Sequence, residues 1–320
     1  MPNHVLHSMK SYNMRIVQQN MLMTSELVKV ITLLDKHNIE AIPFKGPLLS
    51  HIAYGNITLR QYADLDILVD EDLLDQAVAL LYQHDYLYDE KEYQHIINNK
   101  SIFHDISLTK SSVSFELHWR LFSDEFTIDL NSINLKENLI EVSMANYKFK
   151  SFKNEMLIIY LVTHGAKHNW ERVEWLLDIA KIIQNHSINW QELSQLMKRT
   201  KTEKILLSTL YLCHTILDLK LPPEIIKQIN KPKYLKLSKQ FEELFYQDFR
   251  SLITQKVATK KISKIQYLLL DGFTNKSLFV LSLLKPTEVD FQVIQLPNSL
   301  KFLYYIIRPF NILLRWIKKI

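Results

Sequence analysis

Asp64 and Asp66 stand two residues apart in the otherwise apolar run DLDILV at residues 64–69. On a β-strand, residues i and i+2 share a face, so the two carboxylates project together, Cα atoms about 6.6 Å apart, while Leu65, Ile67 and Val69 turn toward a core. Like charges held that close cost free energy unless a cation or an acidic proton lies between them. Hard divalent ions such as Mg²⁺ favour carboxylate oxygens together with substrate phosphate, so the chemistry this pair suits is that of a metal-bound nucleoside triphosphate. A solvated strand end with no metal is the ordinary alternative for so short a pattern. Repulsion taken alone also predicts that Asp66→Asn relieves strain and stabilises the metal-free chain.

A second alternating run, residues 113–119, sets Val113, Phe115, Leu117 and Trp119 on one face and Ser114, Glu116 and His118 on the other. Glu116 is thereby a candidate third carboxylate on a neighbouring strand. His118, on the same face, is a candidate proton acceptor or support for the carboxylates. Upstream, a strand over 39–44 ends in Lys45-Gly46-Pro47 and a helical run follows at 48–54. Gly46 allows a tight turn, the helix start offers free N–H groups to a phosphate, and Lys45 adds positive charge. Pro47 suits the first helical position but has no N–H to give.

Strand, glycine turn, helix, D-x-D strand and a later single-carboxylate strand together resemble the DNA polymerase β nucleotidyltransferase superfamily. More narrowly, KGPLLSHIAYGNITLRQYADLDILV resembles the uncharacterised nucleotidyltransferase family of bacterial proteins. FELHWRL at 115–121, HGAKHNWERVEWLLDIAKII at 164–183 and LPNSLKFLYYIIRP at 296–309 extend the likeness over nearly the full chain. The resemblance implies an α+β fold, with a polymerase β-like lobe on a small mixed sheet over residues 1–150 and a mostly helical lobe over 151–320. It implies that Asp64, Asp66 and Glu116 are catalytic and bind Mg²⁺ or Mn²⁺. Lys45, Gly46, Arg60 and His118 form the expected nucleotide-binding set, with Arg60 suited to a bidentate triphosphate contact. In the superfamily the turn glycine is followed by Ser or Gly and lies nearer the aspartates, so Lys-Gly-Pro is a departure.

The implied activity is transfer of a nucleoside monophosphate from a triphosphate to an acceptor that the sequence does not name: a small molecule, a peptide or protein, or RNA. The alternative is a nucleotide- or partner-binding protein that keeps the fold without turnover. A metallohydrolase built on His164 and His168, spaced i, i+4, is the weakest option, because Gly165 stands where a zinc protease carries Glu. That pair is read as helix packing or substrate lining, and the resemblance implies that His164, Trp170 and Asp178 face the cleft between the lobes.

A chain of 320 residues with 47% hydrophobic content can build one large or two ordinary domains. The single cysteine, Cys213, excludes an intramolecular disulfide, is read as core filler, and suits the cytoplasm. No signal peptide and no charge-free membrane span are visible. The tail IIRPFNILLRWIKKI is amphipathic and is read as a packed terminal helix through Tyr304, Ile307, Ile312 and Trp316, with a membrane-surface helix as the alternative. From Lys198 to Lys239 ten basic residues face three acids, which is read as a solvated helical face rather than a nucleic-acid surface. Helices are expected at 14–36, 70–83, 153–168, 171–185, 190–218, 223–230 and 234–257, and a hairpin pairs 101–108 with 112–119.

Overall fold

The computed structural model describes residues 2–100, 103–122, 133–168, 170, 172–251, 267–282 and 296–317. Helix α1 (Asn3–Lys36) precedes β1 (Ala41–Pro43), α2 (Gly46–Tyr54) and β2 (Asp64–Val69). A short 3₁₀ turn, Glu71–Leu73, capped by the Asp70 side chain, leads into α3 (Leu74–Tyr82), and α4 (Glu90–Ile97) follows. Strands β3 (Asp105–Lys110) and β4 (Val113–His118) form the expected hairpin, turning at Ser111-Ser112 with Ser111 at φ 54°. These strands make one mixed sheet in the order β1-β2-β4-β3, in which only the β2–β4 pair is parallel. The fold is α+β, as the sequence predicts.

Alternation decides which side of this sheet is the core. Leu65, Ile67 and Val69 of β2 and Val113, Phe115 and Leu117 of β4 are all buried, with Trp119 continuing the same face. Met23, Leu27, Val30, Ile31 and Leu34 recur at helical spacing along α1 and join that core. The first part of α1, which the sequence pattern leaves outside its helix, is helical but mostly exposed. The opposite sheet face holds Asp64, Asp66, Glu116 and His118.

A second hairpin, β5 (Leu139–Met144) with β6 (Tyr147–Phe152), was not legible from the sequence, and β6 runs beside β1. Helices α5 (Asn154–Lys167), α6 (Val173–Asn185), α7 (Trp190–Thr200), α8 (Glu203–Leu217), α9 (Pro223–Ile229) and α10 (Pro232–Ser251) then pack on one another, with α6 against α2. The expected continuous helix over 190–218 is two helices: Lys201 adopts a left-handed conformation (φ 55°), and the α7 carbonyls of Met197 and Lys198 accept from the N–H groups beyond. Helix α10 starts at Pro232, and residues 252–257 of the helix expected there lie outside the described residues.

Cys213 is fully buried, as expected of core filler, and burial pushes its thiol up. Of the basic residues between 198 and 239, all are exposed except Lys204, which is half-buried 3.4 Å from Asp271. A C-terminal helix spans Tyr304–Ile317, with Tyr304 buried, Ile307 half-buried, and Tyr305, Ile306 and Phe310 exposed. The side chains of Ile312 and Trp316 lie outside the described residues. Among the described residues no helix is long and apolar enough to cross a membrane.

Candidate active site

The register of β2 and β4 sets Asp66 opposite Glu116 and Asp64 opposite Ser114. Adjacency of the acidic strand and the Glu116 strand is therefore real. One carboxylate oxygen each from Asp66 and Glu116 and one ring nitrogen of His118 lie within 4.8 Å of one another, a spacing that can hold a metal ion. Asp64 shares their strand face but stands outside that set of three.

The two aspartates project to one face, as expected, but differ in surroundings. Asp64 is half-buried; burial and the charges of Asp66 and Glu116 push its carboxyl up. Asp66 is only 2% exposed. Lys45 Nζ donates to Asp66 Oδ1 at 2.7 Å, and His118 Nε2 lies 3.4 Å from the same oxygen. Burial alone would raise the Asp66 carboxyl, but Lys45 and His118 hold it well below the usual carboxylate range. The reciprocal effect keeps both cations charged. Burial opposes each, yet Asp66 raises the Lys45 ammonium, and Asp66 with Glu116 pushes His118 up to about 9.

Local structure explains how Lys45 arrives there. Phe44 N–H donates to the Asp66 carbonyl at 3.3 Å, keeping the chain on β2 for one residue beyond β1. Gly46 then turns with φ +56°, where a Cβ would meet the Asp64 carbonyl at 3.3 Å. The close approach that this glycine permits is thus to the acidic strand's own backbone. Pro47 occupies the start of α2, as its fixed φ predicts. Beneath the charges lies an aromatic floor: the Phe44 ring meets His118 and Tyr160 edge-on, each with centroids 5.1 Å apart.

Arg60 meets a carboxylate of α6. Its guanidinium is buried, and Nε donates to Asp178 Oδ2 at 2.9 Å, while Tyr54 Oη donates to Asp178 Oδ1 at 2.7 Å. Asn20 fixes the loop that carries it by donating to the carbonyls of Ile57 and Arg60, both at 2.8 Å. Arg60 thus ties the segment before β2 to α6, and its charge also lowers Asp64.

His164 and His168 share the α5 face, ring centroids 4.8 Å apart, and both pack on Trp175. Burial, with Lys45 next, holds His164 well below its usual value, and burial with Lys167 lowers His168 to about 4. Neither belongs to a candidate metal group among the described residues. Trp170 is buried against Phe241 and against Gly165, where a Cβ would meet its Nε1 at 2.6 Å.

His104 and Asp105 were missed. Asp105 faces His118 across the β3–β4 pair, His104 Nδ1 lies 3.1 Å from Asp105 Oδ1, and the two make a second possible metal group with His118. The signal was available, because a two-residue turn at 111–112 pairs residue 105 with 118 by counting alone.

A family model described as "Uncharacterised nucleotidyltransferase" matches residues 1–218. Solved structures similar to this chain include two nucleotidyltransferase-type proteins. One is ANT(2")-Ia in complex with adenylyl-2"-tobramycin, at 10% identity and TM-score 0.41, covering 58% of this chain and 98% of the other. The second is an antigenic nucleotidyltransferase-like protein from Paracoccidioides brasiliensis, at 14% identity and TM-score 0.30, covering 58% and 91%. No curated protein matches.

Proposed function

Because this chain belongs to the uncharacterised nucleotidyltransferase family, we propose that it moves a nucleoside monophosphate from a triphosphate to an acceptor and releases pyrophosphate, with Asp64, Asp66 and Glu116 as its working carboxylates. The observation that carries this proposal is the Asp66–Glu116 pairing in register, with Asp66 Oδ2 buried and without a hydrogen-bond partner among the described residues. A buried carboxylate oxygen left bare is costly, and a divalent ion is the partner its chemistry fits. Asp66 and Glu116 would hold that ion, with Asp64 beside them. When bound, it supplies positive charge to the triphosphate.

The chain's own residues do the rest. Lys45, released from Asp66, donates to the phosphates and offsets charge on the leaving pyrophosphate. The acceptor's oxygen or nitrogen forms a bond to the α-phosphorus as the bond to pyrophosphate breaks, and the acceptor's proton passes to a carboxylate. Asp64 is our choice for that base, since it lacks Asp66's ammonium partner and burial raises its carboxyl. Arg60 is assigned a positioning role through Asp178. The lone cysteine accords with a cytoplasmic location.

The test offers each of the four triphosphates, a divalent ion and a cell extract to wild type and Lys45→Ala. Pyrophosphate release, labelled transfer and equilibrium binding are measured side by side. Lys45→Ala should slow transfer more than it weakens binding, because its charge matters most as the pyrophosphate leaves. Tight metal-dependent binding with no transfer from any triphosphate would establish the binding-protein alternative, which the N–H-free Pro47 favours.

A further inference from the structure

His118, like Asp66, is a buried polar side chain of the site. It is 4% exposed, and neither ring nitrogen has a hydrogen-bond partner among the described residues. Its Nε2 lies 3.4 Å from Asp66 Oδ1 and 3.5 Å from Glu116 Oε2, in ion-pair range but without hydrogen-bond alignment. Phe44 edge-on at 5.1 Å and His104 at 5.6 Å hem the ring in. A buried imidazole is ordinarily oriented by a bond from one nitrogen so that the other can work. Here both are left open beside two carboxylates.

We infer that His118 is a metal ligand, so that the ion held with Asp66 and Glu116 is a first-row transition ion of the Mn²⁺ kind in preference to Mg²⁺. The inference rests on the proposed transferase reading for the presence of an ion and concerns only its kind. Mg²⁺ demands near-ideal octahedral oxygen ligation and gives up water reluctantly. Imidazole is a softer donor that first-row transition ions accept more readily, while the carboxylates keep the site suited to an ion that also binds phosphate. Two carboxylate oxygens and, once the incoming ion displaces a ring proton to solvent, one imidazole nitrogen form such a mixed set within 4.8 Å. His118 is also common to the neighbouring His104–Asp105 group, which makes it the pivot of both.

The experiment titrates the full chain with MnCl₂ and with MgCl₂ by calorimetry, with and without triphosphate, and records spin-echo spectra of the Mn²⁺ form. Wild type, His118→Gln and His104→Gln are compared. Wild-type Mn²⁺ should show nitrogen hyperfine modulation that persists in His104→Gln and disappears in His118→Gln. The Mn²⁺ over Mg²⁺ preference should fall about tenfold in His118→Gln, whose side chain offers an amide in place of imidazole. Mn²⁺ bound with oxygen signals only in wild type overturns the inference even if His118→Gln fails to fold, and leaves the carboxylate-based transferase reading standing. Nitrogen modulation lost in His104→Gln and kept in His118→Gln makes His104 the nitrogen ligand in place of His118 and equally overturns the inference. Binding of neither ion, with or without triphosphate, removes both the inference and the metal-dependent reading beneath it.

Discussion

Two buried aspartates, Asp66 and Asp178, each meet a cation, yet they are finished differently. At Asp178 both oxygens are used, Oδ1 by Tyr54 and Oδ2 by Arg60, and the side chain is wholly buried. At Asp66 Oδ1 is taken by Lys45, while among the described residues Oδ2 and both nitrogens of His118 have no hydrogen-bond partner. The first cluster is saturated and ties the chain before β2 to α6. The second carries polar atoms that the fold leaves open, a cost borne where a ligand can supply the missing bonds. Completeness of the hydrogen bonding, more than burial or charge, separates a strut from a site.

The sharpest way to break this comparison is Arg60→Ala, which strands Asp178 in the core with Tyr54 alone. Unfolding in denaturant should show a loss of about 3 kcal/mol or more. A variant as stable as wild type that loses nucleotide affinity instead would return Arg60 to the phosphate role expected from the sequence. Asp66→Asn should show the opposite profile: transfer reduced on the order of a thousandfold, with a smaller loss of stability. The sign of that smaller change is informative. Repulsion between neighbouring carboxylates predicts stabilisation, but the structure gives Asp66 two cationic neighbours, so the neutral amide should lower the metal-free melting temperature.

The pH dependence of the metal-free protein sharpens the contrast further. His118 is held up to about 9, above its ordinary 6.5, so its contribution is fully present below pH 6.5 and is lost as pH rises through about 9. Urea unfolding with chelator should therefore show stability falling between those values by on the order of 1–3 kcal/mol. His118→Gln should flatten the decline; an unchanged slope in that variant would show that other groups cause it. Tyr54→Phe is the mildest probe. It removes one bond to Asp178 and should cost about 1 kcal/mol in thermal unfolding while transfer stays at the wild-type rate.

Much of this was legible because strands and helices write their periods into the chain. The alternation in residues 64–69 and 113–119 identified the two central strands, their buried faces and the common face of Asp64, Asp66, Glu116 and His118, because a strand's side chains alternate whatever surrounds it. The hairpin was legible from its turn, and Gly46 and Pro47 from backbone restrictions that are local by nature. The α4 helix and the β5–β6 hairpin were not expected, although the Asp89 side chain caps α4 by accepting from the Glu92 N–H and Tyr147, Phe149 and Ser151 alternate with Lys148 and Lys150. Nor was the break after Thr200, which depends on one residue turning left-handed.

What the tertiary structure alone decided is who meets whom. Lys45 lies 21 positions from Asp66 and Arg60 lies 118 from Asp178. No local pattern says that the lysine joins the carboxylates while the arginine turns away to α6. Both cations precede the acidic strand, and both suit a phosphate equally well by type. The packing of α6 on α2 supplied Asp178 as a partner for Arg60, and the turn at Gly46 delivered Lys45 to Asp66. Burial then fixed the charge states, because the free energy of an ion depends on its neighbours in space and not on those in sequence.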